Sequence, residues 1–308
     1  MFTMLPSDAP SDAARELVRG AYDLHVHVAP DVMRRRITDL DLAHRFLSLG
    51  LAGFALKSHY VPTAERAAVV TAAAPGIDVV GTITLNAAVG GLNPLAVEIA
   101  ARSGAKIVWL PTVDAANHRS AHGAMPPGAT PPMWLALQEE LAAKGMRQPE
   151  VPVVDDDGRL LPETQDVLRL VAEHDLMLAT GHLGRTEILT VTRAAFQLGV
   201  RRVVITHPDF PYQRLTADEQ HALAGMGALL ERTFTTPYTG KCDWSEMVAN
   251  IRHTGLARSL ITTDLGQPDN PPVEDGLALM ADALLRAGFD PAEVRRAIVT
   301  NSRDVVLG

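Results

Sequence analysis

The stretch Ala21–Val28, AYDLHVHV, is the first of eight short runs rich in Val, Ile and Leu. The others are Gly53–Ser58, Ile77–Leu85, Lys106–Thr112, Leu176–Gly181, Arg201–His207, Ala228–Phe234 and Ser259–Asp264. Between them lie longer Ala/Leu/Arg/Glu segments of helical period, such as Pro62–Ala73, Pro94–Ser103, Thr186–Leu198, Asp243–His253 and Val273–Ala287. Short apolar runs alternating with helical segments are the pattern of repeated βα units around a parallel sheet, and eight such units close a barrel. The expected fold class is therefore α/β, a (β/α)8 barrel spanning 1–308 as one domain. Two stretches break the rhythm within 113–162: a Gly/Pro/His-rich loop with a helix behind it, Val113–Gly145, and the acidic, turn-rich piece Gln148–Pro162. The first reads as an active-site loop after the fourth strand, the second as a small hairpin insertion.

Composition agrees with a globular chain. Of 308 residues, 47% are hydrophobic and 21% charged, which excludes disordered and fibrous classes. Acidic residues outnumber Lys plus Arg by 36 to 28, a balance that argues against a surface for nucleic-acid phosphates. Cys242 is the only cysteine, so an intrachain disulfide or a thiolate zinc site is ruled out, and any zinc must sit on His and carboxylate. The N-terminus lacks a basic segment followed by an apolar core, and no apolar run approaches the ~20 residues of a membrane helix. A cytoplasmic homo-oligomer acting on a small molecule, without nucleic-acid or membrane partners, is the expectation.

Chemistry concentrates at the strand ends. His25 and His27 are two apart on a strand and so share a face, here the barrel axis, leaving Leu24, Val26 and Val28 for the helix side. His182 stands just past the far end of the fifth run, while His207 ends the sixth and Asp264 the eighth. A single strand-end histidine is more often a hydrogen-bonded polar residue than a ligand. Four histidines and an aspartate converging on one barrel mouth have no packing explanation, and barrels place catalytic groups there. Neutral imidazole with carboxylate suits zinc and similar divalent ions.

With these residues in place, the chain resembles the amidohydrolase superfamily of metal-dependent TIM-barrel hydrolases. The family pattern is HxH on strand one, a carboxylated Lys or a Glu usually on strand four, His on strands five and six, and Asp on strand eight. The matching positions are His25, His27, His182, His207 and Asp264. The C-terminal RAIVTNSRDVVLG also resembles the helix that closes many members after the barrel. The resemblance implies one or two divalent ions, zinc first with manganese or iron as alternatives. It implies Asp264 and His207 as catalytic groups, with Asp264 moving the proton of the attacking water.

The bridging ligand departs from the family pattern. Lys106 resembles the strand-four lysine, but it opens its run six residues before Thr112, about 20 Å from the mouth. Lys57 lies near the end of the second run, beside the strand of His25 and His27, where an unpaired ammonium is penalised. Lys57 is expected to be carboxylated and to bridge two metals, or else to bind a substrate carboxylate. His59, Glu231, Asp114 and His118 are candidate substrate contacts, with His122 in the same loop. Arg34 and Arg36, from the run Arg34–Arg36, are candidate forks for a substrate carboxylate. Glu231 has the further option of pairing with Lys57 or orienting a metal-bound histidine.

The expected activity is metal-dependent hydrolysis of an amide, linear or cyclic, or of a lactone or other ester. A metal-dependent non-oxidative decarboxylase of the same superfamily is the alternative, with one metal and the strand-six histidine as acid/base. A catalytically inactive metal-binding barrel is the third.

Overall fold

The computed structural model describes residues 9–120, 133–146, 148–213 and 215–308. Eight parallel strands follow one another around a nearly closed barrel: β1 Tyr22–Val26, β2 Gly53–Leu56, β3 Asp78–Thr84, β4 Ala105–Trp109, β5 Met177–Ala179, β6 Arg202–Ile205, β7 Leu229–Thr233 and β8 Ser259–Thr262. β1 and β8 close the ring through a parallel bridge, Val26 to Leu265, flanked by Asp264 N to His25 O (2.8 Å) and His27 N to Leu265 O (2.8 Å). Each predicted run coincides with a strand, β4 starting one residue ahead of its run, and each strand is shorter than its run because the last residues of the run leave the ladder to form the mouth.

The helices sit between strands and begin where the sequence supplies a cap. Thr38 caps Asp39–Leu49 by accepting from Asp41 N, and Asn93 caps Pro94–Arg102 with Pro at the first position. Thr216 and Glu219 cap Ala217–Gly225 reciprocally. The acidic piece after β4 is a hairpin of one bridge, Val154 to Leu160, followed by the helix Pro162–Glu173.

Side chains sort into layers. Ala55, Val80, Ile107, Trp109, Met177, Ala179, Val204 and Leu260 fill the barrel interior. Helix-facing residues form two larger clusters, one around Phe46, Phe54 and Ile261, the other around Val108, Leu178 and Ile205. The C-terminal helix Asn301–Leu307 plugs the end opposite the mouth: Val305 joins the interior layer, Asn301 Nδ2 donates to Ser259 O (2.6 Å) and Tyr22 N donates to Ser302 Oγ (3.1 Å).

One side-chain direction differs from the expected alternation. Leu24 packs in the barrel interior, while Val26 and Val28 face the helices. The register explains it: Asp23 pairs with Phe54 but Val26 pairs with Leu56, so β1 spends three residues against two on β2, a bulge. The buried Asp23 carboxylate fastens it, accepting from His25 N (3.3 Å), Thr263 N (3.1 Å) and Thr263 Oγ1 (2.6 Å). The bulge changes the phase of β1, so Leu24 and His25 both reach the barrel side.

Candidate metal centre

The mouth brings together residues from six strands. His25 Nε2 lies 3.1 Å and His27 Nε2 3.2 Å from Asp264 Oδ1. Among the described residues, His25, His27 and Asp264 are the group whose ligand atoms all fall within 4.8 Å of one another. The edge of a tetrahedron built on bonds of about 2.0–2.1 Å is roughly 3.3–3.4 Å, so the two histidine-to-Asp264 separations match edges of one cation site, and the His25–His27 pair lies within the same 4.8 Å. Glu231 stands behind His25: its Oε1 accepts from His25 Nδ1 (2.9 Å) and from Thr262 Oγ1 (3.0 Å), and its Oε2 from His207 N (3.2 Å). With its proton on Nδ1, His25 turns the Nε2 lone pair to the cation position. The donor set thus fits a divalent metal.

Backbone geometry delivers these atoms at some cost. Asp264 (φ 55°) and His207 (φ 27°) occupy the left-handed region that non-glycine residues avoid. Gly266 (φ 131°) lets the chain after β8 cross β1 so closely that a Cβ would lie 1.6 Å from His27 O.

Electrostatics follows from burial. Burial and Lys57 push the His25 pKa down, yet Asp264 and Glu231 together carry it up to about 9. A position that holds a proton that firmly between carboxylates is one that attracts a cation. Burial, then the neighbouring Arg35, takes His27 down to about 3, so it is a neutral donor. Asp264 stays ionised despite burial, its pKa held well below the usual carboxylate range chiefly by His25.

Lys57 is buried, with Nζ 2.7 Å from His25 Nε2 and 5.1 Å from the centre of the Trp109 ring. Burial lowers its pKa to about 8. Its Nζ faces the same His25 ring nitrogen that a metal ion would take. Lys106 is exposed at the start of β4, far from this chemistry.

A second set of rings borders the first. His182 and His207 stand 5.0 Å apart, and His207 is 6.2 Å from His25, centre to centre. Neither belongs to the tight three-residue group. His182 Nδ1 is buried without a hydrogen-bond partner among the described residues. His207 Nδ1 meets Gln213 Nε2 at 3.0 Å, and that amide nitrogen also faces Gly181 O and Thr206 O, which marks it as the donor. The neutral ring proton of His207 therefore sits on Nε2. Burial keeps both histidines neutral, His207 at about 4 and His182 well below its ordinary value. His59 stacks on His27 (4.9 Å) with Nδ1 at Thr112 Oγ1 (2.9 Å), and His118 stacks on His182 (4.5 Å) and meets Trp134.

Four expected substrate contacts lie elsewhere. Glu231 is behind His25, on the far side of the ring from the cation position. Asp114 braces the loop after β3, accepting from Ala87 N (2.9 Å), beside a separate cleft of about 730 Å³ lined by Tyr60, Leu92 and Val151. Arg34 is exposed, and Arg36 spends its guanidinium on Pro268 O and Asn270 O. Arg35 is the member of the run that turns inward, pairing with Asp31 (2.7 Å) and reaching His27 Nδ1 at 3.5 Å. The chain bends after β1, so strand alternation does not choose among three adjacent arginines. Lys241, Phe210 and Gln213 also stand at the mouth, in loops whose lack of apolar periodicity leaves no signal in the sequence. His122 lies outside the described residues.

The model of the family of unknown function DUF6282 matches residues 20–231. The chain belongs to that family. No curated protein matches the sequence. Solved structures similar to it include an amidohydrolase from Pseudomonas aeruginosa (12% identity, TM-score 0.58, covering 97% of this chain and 100% of that one). The probable dipeptidase PvdM from the same organism is similar too (11%, 0.61, 95% and 96%), as is an organophosphorus hydrolase from Deinococcus radiodurans (12%, 0.53, 96% and 95%). At these identities the likeness establishes the fold alone, a (β/α)8 barrel, over essentially the whole chain.

Proposed function

We propose that this chain is a metal-dependent hydrolase of small, carboxylate-bearing molecules, cleaving an amide or a lactone or ester bond. The observation that carries the reading is the convergence of His25 Nε2 and His27 Nε2 on Asp264 Oδ1 at 3.1 and 3.2 Å, with Glu231 fixing the His25 tautomer. A divalent ion held there, zinc by preference for this nitrogen and oxygen set, supplies an acidified water and a polarised carbonyl. The protein's own groups then handle the protons. Asp264, ionised and partly open to the mouth, accepts the proton of the attacking water and returns it to the leaving group, while Thr235 Oγ1 donates to its Oδ2 (3.2 Å). Lys57 loses its ammonium character when the cation binds, by deprotonation or by taking up CO2 as a carbamate.

The test is metal content together with mass. Zinc-reconstituted protein should retain at least one equivalent after gel filtration, and His25→Ala and His27→Ala should each lose it. Full retention by both variants would overturn the site. A mass gain of one CO2 that disappears in Lys57→Met would establish the carbamate.

A second reading rests on His207. With its proton on Nε2 and its position outside the three-residue group, it is arranged as an acid rather than a ligand. That arrangement suits the single-metal decarboxylase. Release of CO2 from an aromatic or unsaturated carboxylate by the one-zinc protein, abolished in His207→Asn, would favour it over hydrolysis.

A further inference from the structure

Lys241 is a cation at the mouth whose partners do not account for its position. It follows the short helix Thr235–Tyr238 after β7, where its backbone N donates to Thr236 O (3.0 Å). The same loop carries Thr235, which donates to Asp264 Oδ2. The Lys241 side chain is half-buried, with Nζ 5.0 Å from the centre of the Phe210 ring. Phe210 in turn lies 4.9 Å from the His207 ring and 5.0 Å from Tyr212. The ammonium therefore sits over the aromatic wall that leads to the histidines.

Among the described residues its side chain meets that ring, and no carboxylate is within ion-pair distance. Contrast Arg35, another inward cation of the mouth, whose charge is taken by Asp31. Burial lowers the Lys241 pKa, and the field of Asp264 opposes that, which places the ammonium within electrostatic reach of the cation position. A half-desolvated ammonium held near a divalent ion is poorly placed unless an anion joins it. One ammonium beside a ring face supplies one charge and a few donors, which suits a singly charged carboxylate rather than a phosphoryl dianion that calls for several cations or a fork.

We infer that Lys241 is a specificity residue that binds a carboxylate of the substrate remote from the bond being cleaved. This rests on the metal reading above, with the reacting group at His25, His27 and Asp264 and the second anion over Phe210. The preferred substrates are then molecules with a free carboxylate remote from the scissile or reacting group, and their uncharged esters and amides are discriminated against.

Glutarate and pentanoate, a five-carbon dianion and monoanion, are suitable probes for calorimetric titration of the zinc-loaded full-length protein. Wild type should bind glutarate about tenfold or more tightly than pentanoate, the difference one charged hydrogen bond supplies. Lys241→Met should bring that ratio close to one while zinc content and pentanoate affinity stay as in wild type. Lys241→Arg, which keeps the charge and guards against a folding defect, should retain most of the preference. A zinc-loaded wild type without the preference, or a preference that survives Lys241→Met, overturns the role of Lys241 alone. A wild type that takes up no zinc overturns the metal reading and this inference with it.

Discussion

At the scale of single residues, the site is decided by which ring nitrogen carries a proton. Glu231 accepts from His25 Nδ1 and is itself held by Thr262 and by the His207 amide, so the carboxylate has little freedom to turn. Its own pKa is lowered although burial opposes this, because His25 and His207 face it. Replacing Glu231 by Gln keeps the shape but lets the amide present either an oxygen or a nitrogen to the ring. We expect Glu231→Gln to weaken zinc binding about 10- to 100-fold, as loss of such an outer carboxylate does, measured by competition with a chromophoric chelator. Unchanged affinity would mean that His25 is oriented by the bulge alone. Asp264→Asn separates a second property: it keeps an oxygen near the histidines but cannot accept a proton at neutral pH. Once a substrate is in hand, its turnover should fall by about 10²- to 10⁴-fold with a smaller loss of zinc, and a turnover within a few-fold of wild type would move the proton transfer to another group.

At the scale of elements, the loops after the strands do the positioning, and they are where sequence and structure part. The strands were legible because burial on both faces makes parallel strands continuous apolar runs, and His25, His27, His182, His207 and Asp264 were legible because each is a polar residue at or near the end of such a run. The direction of Leu24 was not, because a bulge depends on a hydrogen-bond network around Asp23 that joins β1 to residues some 240 positions away. Nor was Arg35, whose selection over Arg34 and Arg36 depends on Asp31 and the loop's bend. The β6 loop shows the energetic side. Arg232 points outward from β7 into the helix layer, fully buried, and Nη1 donates to both oxygens of Asp209 (2.7 Å each) and to Gln220 Oε1 (2.7 Å). Asn250 Nδ2 also donates to Asp209 Oδ1 (2.9 Å). This pair pins the loop two residues beyond His207. Asp209→Ala leaves a buried guanidinium without its counterion, which costs about 3–5 kcal/mol. Urea unfolding should show a loss of that size, and a loss below 1 kcal/mol, on the order of an exposed pair, would mean that water reaches Arg232.

At the scale of the whole molecule, a sealed barrel end and an ionisable open end oppose each other. The interior layer and the C-terminal plug are apolar, whereas the mouth gathers six buried histidines. Without metal, His27, His59, His182 and His207 have folded-state pKa values below the unfolded value of about 6.5, His27 near 3 and His207 near 4, with burial the first cause in each. A depressed histidine binds fewer protons in the folded than in the unfolded state between those two values. Its stabilising contribution is complete above pH 6.5 and is lost as pH falls toward the folded value. His25, raised to about 9, is protonated in the folded state throughout that window and adds no further loss there. Asp23, raised by burial to about 7, works the other way, since the folded state takes up its proton first on acidification. Four histidines outweigh one carboxyl, so the chelated protein should lose stability steadily from pH 6.5 to pH 4. The urea midpoint, followed by circular dichroism in the presence of chelator, should fall across that range, and zinc at pH 7 should raise it by mass action on the folded state. A midpoint that is flat or rises on acidification would mean that the histidines are solvated in the folded protein, and the barrel mouth would then be too wet to hold the cation as described.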